Sequence, residues 1–285
     1  MIYTHSPTMY LKYKIGEFMF KKIGLAIALL AGTSAAYAGN VNVGGVVWDP
    51  GYVNDTATTR DFFATTNFSQ WYSTTKDAEG TLSSFNSAVA VGNVLGAVDA
   101  DDTDSGASGF YLSGGGKIDR INDPATDFCP SCELTFAFGG LSLDLDGSFI
   151  VGADAWLNVF VNDVNFDGSF DSASDIGSII EGTPWLTAFF TSAELTASSS
   201  LVNGSLTSVA SINGGIAADR FDPSDIGVFG NNIFGSQFTG PDLSARYATS
   251  GTGQVLGNTV PNPGSIALFG LAIAGMALAR RNAKK

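Results

Sequence analysis

Apolar and polar residues alternate in short runs along most of this chain, and Gly, Asn, Asp and Ser separate the runs. In "ELTFAF", Leu134, Phe136 and Phe138 share one face of an extended segment, and Thr135 and Ala137 share the other. In "LNVFV", Leu157, Val159 and Val161 lie opposite Asn158 and Phe160. The same reading makes strands of "VNVGGVVW", "FYLSGGGKIDRI", "CELTFAFGGLSL", "SFIVGADAWLNVFV", "WLTAFFTSAELTA" and "SLTSVASI". No block of about twelve residues between 39 and 259 keeps a helical period. Seven or more short strands in one body predict an all-β fold, an antiparallel β-sandwich of jelly-roll type. "FFATTNFSQWYSTT" fits a strand pair or an irregular segment. Its Phe68, Trp71 and Tyr72 read as core more readily than as a ligand platform. The segment 97–109, "AVDADDTDSGASG", reads as an exposed loop, and 250–259, "SGTGQVLGNT", as a flexible stalk. The sandwich body is therefore placed at 39–249.

Charge divides the chain differently. Four lysines precede residue 39, and Arg280, Arg281, Lys284 and Lys285 close the sequence. Between them six Lys and Arg face twenty-six Asp and Glu, a formal charge of −20. Such a body repels phosphate backbones, which excludes nucleic acid as a partner, and it attracts cations.

The two ends read as addresses. In "MFKKIGLAIALLAGTSAAYA", Lys21 and Lys22 precede a short apolar run, and Ala36-Tyr37-Ala38 is a small-x-small cleavage site. Residues 1–38 are thus expected to form a secretory signal peptide, with a helical apolar run and cleavage after Ala38. Met19 is the better start, because residues 1–18 add nothing to a signal peptide. At the other end, Ser265 to Ala279 are apolar but fall short of the roughly 20 residues that span a bilayer comfortably. Gly270 and Ala274 allow close helix approach, and the basic tip should stay cytoplasmic. A short transmembrane helix and a thin inner-membrane anchor are expected there.

"VPNPGSIALFGLAIAGMALARR" resembles a PEP-CTERM sorting signal: a Val-Pro-x-Pro-Gly turn, a short Gly/Ala/Leu-rich helix and an Arg/Lys tip. The resemblance implies export through the Sec translocon by a Gram-negative bacterium that makes extracellular polysaccharide. It implies cutting by a membrane exosortase near Val260, Pro261, Asn262, Pro263 and Gly264, and release to the cell surface or matrix. Asn262 departs from the pattern, which usually places Glu between the prolines. "GGVVWDP", "FSQWY" and "FCPSCELTFAFGG" resemble segments of one subset of these surface proteins, and that likeness implies shared architecture rather than a reaction.

Chemistry is sparse. The single histidine, His5, lies in the signal region, so the body cannot form a Ser-His-Asp or Cys-His unit. Cys129 and Cys132 in "FCPSC" cannot close a zinc site alone, and Glu133 in place of His rules out c-type haem attachment. In an exported chain the two read as a structural disulfide, with a redox Cys-x-x-Cys pair as the alternative. "NDVNFDGSFDSASD" matches the first half of a calcium loop, with Asp163, Asn165 and Asp167 before Gly168. Ser169, Asp171 and Asp175 could complete the shell, although Ser174 stands where a closing Glu belongs. Calcium is the one cofactor suggested. The expected function is that of a non-enzymatic surface or matrix protein acting in adhesion, aggregation or biofilm building with extracellular polysaccharide. The alternative is a carbohydrate-binding module or a glycoside hydrolase using two carboxylates.

Overall fold

The computed structural model describes residues 40–52, 60–98, 106–122, 127–163, 173–196, 201, 203–222, 232–239 and 247–260, with isolated positions 273 and 276. Residues 40–260 form one compact unit. Its first elements are a small hairpin, β1 (Val41–Val43) and β2 (Val46–Trp48). Gly44 and Gly45 make the turn at φ of 64° and 90°, a region that glycine enters without a Cβ clash.

Eight longer strands build the body: β3 (Phe62–Ser73), β5 (Ala107–Ile121), β6 (Glu133–Asp144), β8 (Trp156–Asn162), β9 (Thr183–Leu195), β10 (Asn203–Gly214), β11 (Asn232–Thr239) and β12 (Tyr247–Gly257). Each pairs antiparallel with the next, and β12 returns to pair with β3. The ring therefore closes as an up-and-down meander around a shared core, all-β and antiparallel as expected. Facing halves of the ring pack on one another as the layers of a sandwich do, but the crossovers of a jelly roll are replaced by connections between ring neighbours. Two short strands, β4 (Ala88–Val89) and β7 (Phe149–Ile150), extend β3 and β6. Two short helices complete the described elements, α1 (Val91–Leu95) and α2 (Ala173–Ile179), with 3-10 turns at Ser83–Ser87 and Ala218–Arg220.

The predicted alternation sorts residues between two cores. Leu134, Phe136, Phe138, Leu157 and Val159 are buried inside the ring, with Phe68 and Tyr72 of β3. Trp71, Ala137, Trp156 and Phe160 face outward, where Leu82, Phe85, Ile176 and Ile179 cover them. "FFATTNFSQWYS" is thus one continuous strand that serves both cores. The glycine run of β5 fits the same geometry. A Cβ on Gly114 would strike the Phe138 ring, and one on Gly116 would strike the Asn67 carbonyl oxygen. Bulky rings fill the interior where β5 supplies no side chain.

The stalk assignment is corrected. Residues 250–257 belong to β12, the strand that closes the ring. The chain stays tethered beyond it: the Thr259 N–H donates to Asp61 Oδ1 at 2.7 Å, and the Val260 N–H donates to the Arg220 carbonyl at 2.9 Å. The signal-peptide residues Ala36 and Ala38, and motif residues Pro261, Asn262, Pro263 and Gly264, lie outside the described residues. Of the expected membrane helix, only Ile273 and Met276 are described, both helical and about half exposed. No described helix is long and apolar enough to cross a membrane.

Candidate functional site

Size separates the cavities. The ring interior holds an apolar space of about 60 Å³ beside Phe68, Phe136 and Phe138, and another of about 20 Å³ near Trp185. Small-molecule sites occupy about 300–1,000 Å³, so these spaces are gaps in a packed core rather than a ligand chamber. An outer groove of about 480 Å³ falls in that range. It crosses β10, β12, β3 and the end of β5.

Register brings its residues together. Thr252 pairs with Asn67, and Gln254 with Thr65. On the far side, Ser205 and Thr207 of β10 are separated from β12 by positions 237 and 235 of β11. These side chains share the outward parity of their strands, so the groove is a polar patch on the ring's exterior. Asp119 enters by a different route. Thr65 pairs with Arg120 and Thr66 with Ile118, which leaves Asp119 as the extra residue of a β-bulge. The bulge places it within reach of Asn67, whose Nδ2 donates to Asp119 Oδ2 at 2.5 Å. Burial pushes the Asp119 pKa up, and the nearby Lys117 charge opposes that shift. Asp119 is the one carboxylate among the described residues that line the groove.

The aromatic residues are committed elsewhere. Trp48, Trp71, Trp156 and Trp185 are each at most 2% exposed, so none offers a stacking surface. Trp48, Phe62, Trp185 and Phe221 form one cluster, with ring centroids 5.0–6.3 Å apart. Trp185 Nε1 donates to the Val43 carbonyl at 3.0 Å, which ties the β1–β2 hairpin to the ring. Trp71 Nε1 donates to Ser84 Oγ at 2.8 Å, and Ser84 Oγ in turn donates to the buried Asp77 carboxylate. Asp77 also accepts from the Ser84 N–H at 2.9 Å and from Ser83 Oγ at 3.2 Å. That carboxylate holds the 3-10 cover in place.

Cys129 and Cys132 form a disulfide. It closes the turn that leads into β6, as the sequence suggested. The Phe128 carbonyl accepts from the Val47 N–H at 2.8 Å, so this turn also carries one side of the β1–β2 hairpin. Of the calcium-loop residues, Asp163 is exposed just after β8, and Asp175 lies in the first turn of α2. Asn165, Asp167, Ser169 and Asp171 lie outside the described residues. Among the described residues, no group of three or more His, Cys, Asp or Glu is placed to hold a metal ion.

Sequence reasoning missed the groove, although its polar pairs at 65/67, 205/207 and 252/254 repeat with the period of a strand. No family model, curated protein or solved structure matches the chain.

Proposed function

We propose that this chain is a non-enzymatic surface or extracellular-matrix protein of a Gram-negative bacterium. In this reading the Sec translocon exports it, residues 260–285 hold it transiently at the inner membrane, and an exosortase cuts it at Val260–Gly264. The observation that supports the non-enzymatic reading is the groove, whose described lining residues include one carboxylate where glycoside hydrolysis needs two. The burial of all four indoles supports a structural rather than a sugar-stacking role for them. The hydrogen bonds of Thr259 and Val260 hold the described unit together up to the edge of the motif, which supports cutting beyond them. Calcium at residues 163–175 remains part of the proposal, and a rise in melting temperature with millimolar calcium tests it.

Cell fractionation tests the export reading. The protein is expected in the surface or culture fraction of cells that carry the processing enzyme, and in the inner membrane of cells that lack it. Equal distribution in both strains contradicts the reading.

A further inference from the structure

Most of the described residues that line the groove carry a hydroxyl or an amide. Thr65, Asn67, Thr252 and Gln254 stand in two cross-strand rows, closed on the far side by Ser205 and Thr207. Hydroxyl and amide groups both donate and accept, and neighbouring strands repeat at about 4.8 Å, so the rows form a grid of neutral hydrogen-bonding groups. The bulged Asp119 adds a carboxylate with two acceptor oxygens, of which Asn67 engages one.

Charge selects among polar ligands. The two cations in the adjoining register positions are turned to other partners. Lys117 pairs with Glu133, and the Arg120 guanidinium lies 5.4 Å from the centre of the Phe63 ring. No Lys or Arg is among the described residues that line the groove. An anionic ligand would meet a lone carboxylate on a body of formal charge −20. An apolar ligand would leave the hydroxyl and amide groups unpaired. A neutral, polyhydroxylated ligand satisfies both constraints. None of the described residues that line the groove is aromatic, so each sugar would be held by hydrogen bonds alone, and useful affinity requires many contacts along one polymer.

We propose that the groove across β10–β12 and β3–β5 binds a neutral polysaccharide strand. This names a partner for the surface protein proposed above and rests on that reading only for where the strand is met.

Affinity electrophoresis of the protein recovered from cells tests the proposal, in native gels containing dextran, galactomannan or alginate. Retardation is expected in a neutral gel and not in alginate, a polyanion. The double variant Asn67→Ala/Gln254→Ala should weaken binding about tenfold or more. Thr252→Val, close to isosteric and therefore gentle on the fold, should weaken it in the same direction. Retardation by none of the three, by alginate alone, or equally for wild type and both variants overturns the proposal. Failure of the export reading shows itself separately, as uncut protein in the inner membrane, and leaves the gel result intact.

Discussion

At the residue scale, the interior is set by where side chains are absent. A methyl group on Gly116 meets the Asn67 carbonyl and the backbone of Phe68, which cannot swing aside as a flexible side chain could. Gly116→Ala should therefore cost about 2 kcal/mol or more, whereas Gly152→Ala, with nothing within 4 Å of its new Cβ, should stay within about 0.5 kcal/mol. Thermal melts of the two variants check the contrast. Tyr72 gives a second case. Its hydroxyl is buried without a hydrogen-bond partner, and burial pushes its pKa well above the ordinary tyrosine value. The unfolded chain then loses this proton above about pH 10 while the folded chain keeps it, so stability falls as pH rises through that range. Tyr72→Phe should be neutral or stabilising by about 1 kcal/mol near pH 7, because it removes an unpaired buried polar group. The same change should flatten the alkaline loss, which denaturant titrations at pH 8 and pH 11 would reveal. Asp77→Ala should cost about 3 kcal/mol, since it strands the Ser84 N–H and hydroxyl beneath the 3-10 cover.

At the scale of elements, the strands legible in the sequence are those whose interior positions carry large apolar residues. Leu134, Phe136 and Phe138 declare β6, and Leu157 and Val159 declare β8. β12 was invisible for the opposite reason. Gly251 faces the Phe68 ring, where a Cβ would collide, and Gly253 lines the interior space. A strand that must be small inside reads as a linker. α2 escaped because seven residues are too few to establish a helical period. Its contribution is nonetheless real. Ile179 is fully buried, and its carbonyl accepts from Thr135 Oγ at 2.5 Å, so Ile179→Ala should cost about 3 kcal/mol. The disulfide was legible because Cys129 and Cys132 are the two cysteines of the sequence and stand three positions apart. Its closed loop is so short that replacing both cysteines by serine should cost only about 2 kcal/mol in the chain-entropy picture. The polar groove was unreadable because it needs the β12–β3 closure and the bulge at Asp119, and neither leaves a local pattern.

At the scale of the whole molecule, ring closure governs stability. A closed ring removes the long exposed edges through which sheets aggregate. Residues 259 and 260 fasten the closure. Thr259 is held by Asp61 and bridges to Phe221, and Val260 bonds the Arg220 carbonyl. The described fold therefore includes residues up to Val260. A chain ending at Val260 should melt cooperatively, whereas one ending at Arg246 lacks β12 and should not fold cooperatively.

Intact-mass spectrometry of the protein recovered from the cell surface tests the central claim most directly. The account predicts a species that begins at Gly39, ends between Val260 and Gly264, and carries the mass deficit of one disulfide. A surface species that still ends at Lys285, or one cut upstream of Thr259 within β12, would contradict it.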